Sequence, residues 1–234
     1  MARHHLQRLA SPSRSTSLVV HLIGIASLSK SFLFLFGWDT PLSQAHGWYF
    51  QFLTIIGLAL SLGAFVLAAV ADVTGSVALF QLKNMIAVVA TPLEVLISAL
   101  YWGICAIDRG LVVQPGFHLA LDVDLGMHLA PAVLLTLDLI LLSPPWTISA
   151  YGMMSLSTAI AFAYWYWVEV CFEKNGWYPY PMFEMLTTAQ RALLFTFSAG
   201  LVTVFASMLK WVYGAVNGID QARREAHKPA KKIE

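Results

Sequence analysis

Long apolar segments separated by short polar ones dominate the chain. Phe52–Ala71 and Ala192–Leu209 contain no charged residue, and a helix of about 20 apolar residues spans the hydrocarbon core of a bilayer. The pattern predicts six spans, with approximate bounds. They are Leu18–Trp38, Trp48–Ala71, Asn84–Ile107, Leu125–Ser143, Tyr151–Cys171 and Ala192–Tyr213. Because a lone strand cannot satisfy its backbone in lipid, we expect all six to be α-helices.

The composition agrees with this pattern. Of the 234 residues, 58% are hydrophobic and 12% are charged, and the mean hydropathy is +0.68. Soluble domains average about 25% charged residues. Too few charged side chains remain here to cover a water-facing surface. We therefore predict an all-α membrane protein, a compact six-helix bundle over residues 18–214 between a basic segment (1–17) and a basic tail (215–234).

Basic residues concentrate at the two ends of the chain. They are Arg3, Arg8 and Arg14 at the start, and Arg223, Arg224, Lys228, Lys231 and Lys232 at the end. By the positive-inside rule both termini are then cytosolic, which an even number of spans permits. Lys83 falls in the loop before the third predicted span. Under this topology the loops around Asp39, 108–124 and 173–184 face the lumen or exterior.

Both termini also carry possible targeting signals. The acid-free, Arg- and Ser-rich start is similar to a mitochondrial presequence, although the same residues suffice as a cytosolic anchor. At the other end, Lys231 and Lys232 occupy the fourth and third positions from the C-terminus. This arrangement resembles the dilysine signal that cytosolic coat proteins recognise. We expect residence in the endoplasmic reticulum.

Ionisable residues within membrane spans are candidates for function, because they are costly to bury. Here they include Lys30, Glu94, His128 and Asp138. Thr54 follows Trp48 by six residues, hence about 9 Å along its helix, and His128 follows Asp124 by about 6 Å. If the second and fourth spans enter from the same side, the threonine and the histidine lie at one level.

Asp124 precedes His128 by one helical turn, so its carboxylate can hold one ring nitrogen and leave the other free to accept a proton. Other interpretations remain. Thr54 could donate its hydroxyl hydrogen to the carbonyl four residues earlier, and His128 could be a hydrogen-bond partner between helices. Glu94 and Asp138 could contact polar neighbours or form a proton relay.

Several other chemistries lack their sequence signals. There is no Gly-x-Ser-x-Gly motif of a serine hydrolase and no His-Glu-x-x-His, and the seven histidines form no cluster. We expect neither a metal nor a cofactor. The chain has no glycine-rich phosphate loop, and its basic residues form tails rather than a nucleic-acid-binding stripe.

Six segments, in order along nearly the whole chain, resemble one family of membrane proteins. They are Phe-Leu-Thr at Phe52–Thr54, the block Leu82–Pro92, Ala106–Gly110, Gly-Met-His at Gly126–His128, the acid Asp138, and the loop Asn175–Glu184. The family is the FAR-17a group of androgen-induced-gene and androgen-dependent TFPI-regulating proteins, with their fungal relatives. Animal members carry Asn-His where this chain has Asp124-Leu125, and Asp124 retains a hydrogen-bond acceptor for the imidazole.

The resemblance implies an activity and a pair of site residues. Family members hydrolyse fatty acid esters of hydroxy fatty acids with a threonine nucleophile and a histidine, which correspond here to Thr54 and His128. The free carboxylate of such a substrate needs a cation. Lys30 is the first candidate, although it could instead extend to the membrane interface, and Arg109 and Arg191 are the alternatives.

Two non-enzymatic hypotheses compete with this one. A small transporter, channel component or lipid-binding scaffold would use the intramembrane charges to line a polar path. A structural protein of the endoplasmic reticulum would need only the bundle and its C-terminal lysines. The aromatic residues from Trp165 to Tyr180 predict an interfacial belt, which distinguishes none of these.

Overall fold

The computed structural model describes residues 14–218, and within this range it is entirely helical, without a β-strand. The helices are α1 Arg14–Gly37, α2 Pro41–Gln44, α3 Leu53–Thr74, α4 Val77–Asp108, α5 Leu121–His128, α6 Ala130–Leu142, α7 Ala150–Asn175 and α8 Thr188–Val216. Short 3₁₀ turns lie at Trp48–Gln51, Arg109–Leu111 and Pro181–Met185. The prediction of an all-α chain is confirmed.

Four helices of the described part are long and apolar enough to cross a membrane: α1, α3, α4 with the turn that extends it, and α8. The pair α5 and α6 makes a fifth span if it is counted as one, although the two helices meet at an angle of 42°. Helix α7 has 26 residues, and it is more polar because Glu169, Glu173 and Lys174 lie near its C-terminal end.

Several helix ends differ from those predicted. Helix α3 begins at Leu53 rather than at Trp48, because the aromatic segment before it forms a separate 3₁₀ turn. Helix α4 begins at Val77, where the Ser76 hydroxyl accepts a hydrogen bond from a first-turn amide. The fourth predicted span is broken at Leu129. Pro131 follows this break, and a proline has no N–H with which to continue a helix.

Helix α4 is the centre of the bundle, because it contacts α3, α6 and α8. Helix α1 packs against α3, and α7 packs mainly against α8. Gly176 ends α7 with a φ of 76°, a left-handed conformation that glycine adopts without strain. The segment between α7 and α8 therefore turns back toward the start of α3. This return brings loop residues to the place where Thr54 lies.

A cluster of charged side chains is buried where α1, α3, α4 and α6 meet. His21 Nδ1 lies 2.7 Å from Asp72 Oδ2, and His21 Nε2 lies 3.0 Å from Asp138 Oδ1. Asp138 also pairs with Lys83. The Ser143 hydroxyl accepts a hydrogen bond from Lys83 Nζ at 2.7 Å and donates one to Asp138 Oδ2 at 3.0 Å. The assignment of Lys83 to a loop is wrong, since this lysine lies inside α4 and is 1% exposed.

Glu94 lies deep in the bundle on α4. Its carboxyl group accepts a hydrogen bond from the Ser61 hydroxyl of α3 at 3.2 Å. Gly57, one turn earlier on α3, makes room for it, because a Cβ atom at position 57 would lie 2.5 Å from Glu94 Oε1. Like Asp138, Glu94 contacts polar neighbours.

Candidate active site

Thr54 is the second residue of α3, so its side chain lies at the helix N-terminus. Phe52 before it is extended, with φ −92° and ψ 130°. Thr54 is buried, and its hydroxyl does not bond to the carbonyl of Phe50, which instead accepts the indole N–H of Trp167 at 3.0 Å. The threonine hydroxyl is thus not engaged in the back-bond to the preceding turn that a threonine in mid-helix makes.

His128 is the last residue of α5, and Asp124 lies one turn before it. The Nδ1 atom of His128 is 2.8 Å from Asp124 Oδ1 and 3.1 Å from the Asp124 carbonyl oxygen. Both are acceptors, so Nδ1 carries the hydrogen. In a neutral imidazole the Nε2 atom then has a free lone pair, and no hydrogen bond to Nε2 occurs among residues 14–218.

The second oxygen of Asp124 faces an arginine. Arg109 Nη2 lies 2.8 Å from Asp124 Oδ2 and 3.3 Å from the Tyr101 hydroxyl. The Tyr101 ring stacks on the His128 ring, with 3.5 Å between the centroids and 3° between the planes. The imidazole is therefore fixed by a hydrogen bond at one edge and by an aromatic ring on one face.

Two cavities meet at Thr54. The larger one, of about 150 Å³, lies between α3, α4, α7 and α8 and is almost entirely apolar. The smaller one, of about 80 Å³, lies beside the start of α3 and is lined by His128. Thr54, Tyr101, Val112 and Tyr180 line both. The structure thus brings Thr54 and His128 to the wall of one cavity, without a direct hydrogen bond between them.

The three predicted cations lie in different places. Lys30 is exposed and pairs with Asp122 at 2.9 Å, and it lines a separate surface groove between α1 and α5. Arg191 pairs with Glu169 at 3.3 Å, and its guanidinium lies 4.9 Å from the centre of the Tyr178 ring. The structure brings neither to the two cavities. Only Arg109 contacts the Asp124–His128 pair.

The loop after α7 contributes residues that the sequence analysis did not assign to the site. Of the aromatic residues predicted to form an interfacial belt, Tyr178 is buried within the protein and Tyr180 lines both cavities at Thr54. The Tyr178 hydroxyl donates to Glu169 Oε2 at 2.8 Å, and burial together with this carboxylate raises the pKa of Tyr178 to about 12. Tyr180 lies beside Thr54. The prolines on either side of Tyr180, Pro179 and Pro181, restrict the backbone of this loop, and they are the feature of the sequence that could have indicated a rigid loop.

The buried charges do not line a path to the site. Asp138 and Glu94 are both 1% exposed, and neither belongs to the wall of the two cavities at Thr54. Their hydrogen bonds are to side chains of neighbouring helices. Among residues 14–218 no group of three or more histidine, cysteine, aspartate or glutamate side chains is arranged to hold a metal ion.

Comparison with known proteins gives the family. The model of the FAR-17a/AIG1-like proteins matches residues 16–214. The chain belongs to the FAR-17a/AIG1-like family. A UPF0641 membrane protein of the fission yeast Schizosaccharomyces pombe is 31% identical over 210 residues, which are 87% of this chain and 92% of the yeast protein. No solved structure matches this FAR-17a/AIG1-like chain. The resemblance noted from the motifs is thereby confirmed.

Proposed function

We propose that this protein is an intramembrane threonine hydrolase that cleaves the ester bond of fatty acid esters of hydroxy fatty acids or of similar lipid esters. One observation carries the proposal. The side chains of Thr54 and His128 face the same cavity, and a buried carboxylate, Asp124, holds the ring nitrogen that points away from it. A nucleophile, a base and a group that orients the base are the parts that acyl transfer requires.

In the first half of the reaction, Thr54 Oγ attacks the ester carbonyl while His128 Nε2 takes the hydroxyl proton. The tetrahedral intermediate then expels the alkoxide of the hydroxy fatty acid, which receives that proton from His128. The products of this half are an acyl-threonine and the free hydroxy fatty acid. Asp124 keeps the imidazole in the tautomer that accepts at Nε2, and Tyr101 restrains rotation of the ring.

In the second half, a water molecule takes the place of the alcohol. His128 Nε2 removes one proton from the water, and the hydroxide adds to the acyl carbonyl. Collapse of this intermediate breaks the bond to Thr54 Oγ, which regains its proton from His128. The fatty acid is released and the site returns to its starting state, so atoms and charges balance over the cycle.

The surroundings of Thr54 suit a substrate with two chains. The larger cavity is lined by apolar side chains from four helices, which fits the acyl chain, and the smaller one is left for the alcohol portion. Arg109 is the cation that we assign to the free carboxylate. Its side chain is partly exposed, pairs with Asp124 and lies next to Tyr101, which lines both cavities, whereas Lys30 and Arg191 pair with acids away from the Asp124–His128 pair.

We further propose that α7 completes a set of six spans and that both termini are cytosolic, in the endoplasmic reticulum membrane. Helix α7 has 26 residues and packs along α8, which is itself long and apolar enough to span. Lys231 and Lys232, the proposed coat-recognition signal, lie outside the described residues. Protease accessibility of epitope tags at each end, in sealed microsomes, tests the orientation.

Detergent-purified protein incubated with a panel of lipid esters tests the activity. We expect Thr54→Ala and His128→Ala each to abolish hydrolysis. Thr196→Ala and His118→Ala are the matched controls, since both side chains are exposed and neither lines the two cavities. An activated phosphonate should label Thr54. Wild-type turnover by Thr54→Ala, or a label on another residue, rejects the assignment.

A transporter or scaffold remains the competing hypothesis. Purified protein that moves a solute across liposomes and cleaves no ester would favour it.

A further inference from the structure

Tyr180 occupies a position at Thr54 that the two-residue mechanism leaves without a role. It lies in the loop between α7 and α8, more than one hundred residues from Thr54 in sequence, and lines both cavities. Its hydroxyl oxygen accepts the backbone N–H of Leu53 at 3.0 Å, the first amide of α3. Leu53 directly precedes Thr54, and Thr54 and Tyr180 lie in the walls of the same two cavities.

The position of Tyr180 is fixed from several sides. Its ring packs edge-to-face on Phe52, with 5.6 Å between centroids, and on Phe183, with 5.5 Å. The loop around it is held by Gln114, whose amide donates to the Tyr178 carbonyl at 2.6 Å. The hydroxyl is therefore preorganised beside the nucleophile rather than carried on a free side chain.

The hydrogen of the Tyr180 hydroxyl is available on the cavity side. The backbone amide of Leu53 already occupies one acceptor position of the oxygen. Among residues 14–218 the Tyr180 hydroxyl donates no hydrogen bond to an acceptor, and the hydroxyl of Tyr164, which also lines the larger cavity, donates its own hydrogen to the Gln51 carbonyl at 2.9 Å. A neutral hydroxyl oxygen is a weaker acceptor than an oxyanion. Burial also raises the pKa of Tyr180, so the phenol stays protonated at neutral pH.

We propose that Tyr180 is a catalytic residue that donates a hydrogen bond to the oxyanion formed when Thr54 attacks the ester carbonyl. This inference rests on the proposed function. Attack by Thr54 places the developing negative charge next to the nucleophile, which is where the Tyr180 hydroxyl lies. The N-terminus of α3 adds a favourable field for the same charge, because the positive end of the helix dipole faces it.

Tyr180→Phe tests the proposal, because it retains the ring and removes the hydroxyl. Loss of one oxyanion donor lowers kcat about 10²- to 10³-fold, and we expect that loss with KM changed less than about threefold. Tyr213→Phe is the matched control: it removes a buried tyrosine hydroxyl that donates to the Ser143 carbonyl at 3.0 Å, outside the walls of both cavities, and its kcat should stay near wild type. A Tyr180→Phe kcat within about threefold of wild type overturns the proposal.

Binding of an ether analogue separates catalysis from packing. The analogue has the shape of the substrate but no carbonyl, so Tyr180→Phe should bind it as the wild type does, while the variant reacts more slowly with a phosphonate at Thr54. Weakened ether binding with an unchanged phosphonate rate would mean a packing role and overturn the proposal. A wild-type protein that cleaves no ester overturns the proposed function itself, a different result from loss in Tyr180→Phe alone.

A difluorinated tyrosine at position 180 covers the case in which Tyr180→Phe does not fold. This replacement retains the hydroxyl and makes it more acidic. If the neutral phenol donates in the reaction, activity should be lost on the alkaline side at a lower pH than in the wild type. An unchanged alkaline limb overturns the proposal.

Discussion

The buried charge cluster gives the sharpest test of what holds the bundle together. Asp138 has two buried partners, His21 and Lys83, each with a side-chain nitrogen within hydrogen-bonding distance of its carboxylate. Asp138→Asn replaces one of the carboxylate oxygens with an NH₂ group. This group then faces a donor, and the cluster has one positive charge more than before.

The magnitude follows from burial. His21, Lys83 and Asp138 are each no more than 1% exposed, so water cannot replace the lost partner. Breaking a buried ion pair by removing one member costs about 3–5 kcal/mol. At about 2–4 °C per kcal/mol for a chain of this size, Asp138→Asn should lower Tm by roughly 6–20 °C.

A double variant tests the reason for this loss. Lys83→Met with Asp138→Asn restores charge balance, because the amide oxygen can serve His21 while its NH₂ group faces an apolar side chain. We expect the double variant to be more stable than Asp138→Asn alone. Asp122→Asn is the control: its pair with Lys30 is exposed and screened by solvent, so its loss should leave Tm close to that of the wild type.

A maleimide dye whose fluorescence rises on reaction with thiols measures the unfolding in detergent. Cys171 is fully buried in the folded protein and becomes reactive when α7 opens. If Asp138→Asn melts within about 2 °C of wild type, or if the double variant is no more stable than the single one, the cluster is not the stabilising ion network described above.

Two further predictions concern the site and the loop beside it. Asp124→Leu should lower kcat about 10²- to 10⁴-fold, because it removes the carboxylate oxygen that accepts from His128 Nδ1, whereas Asp124→Asn keeps an acceptor oxygen and should be mild; equal kcat in the two variants would contradict this. Tyr178→Phe should destabilise the protein by about 1.5–3 kcal/mol through the lost bond to Glu169. Folding raises the Tyr178 pKa from 10.0 to about 12. The stability that this shift contributes is therefore complete below pH 10 and is lost as the pH rises to about 12. Melting curves recorded across this pH range would show the loss.

Local spacing predicted the parts of the structure that depend on one helix. The long apolar segments predicted the long helices, and the one-turn separation of Asp124 and His128 predicted the contact between their side chains. Pro131 was visible in the sequence as the cause of a break, yet the apolar residues around it favoured one continuous span. The hydropathy around Pro131 favours one continuous helix, whereas a proline has no N–H to donate to the preceding turn. The helix is broken at Leu129, as the proline favours.

Contacts between helices could not be predicted in the same way. Lys83 was predicted to lie in a loop because polar residues are close to it in the sequence. Its burial is explained only by its partners in three dimensions, such as Asp138 on another helix. In the sequence, nothing distinguishes Tyr180 from the other aromatic residues around it. Its contact with Leu53 depends on how the loop after α7 returns to α3, and nothing local to either segment encodes that return.

The reactive groups and the buried charges occupy different levels of the bundle, and this separation bears on the proposed reaction. Thr54 lies in the first turn of α3 and His128 at the end of α5, whereas Asp72 lies in the last turns of α3. A lipid ester needs an apolar space for its chains, but the acyl-threonine needs water. The proposed nucleophile, at a helix end where two cavities meet and with the imidazole of His128 in the wall of one of them, meets both requirements. A threonine placed in mid-span would meet only the first.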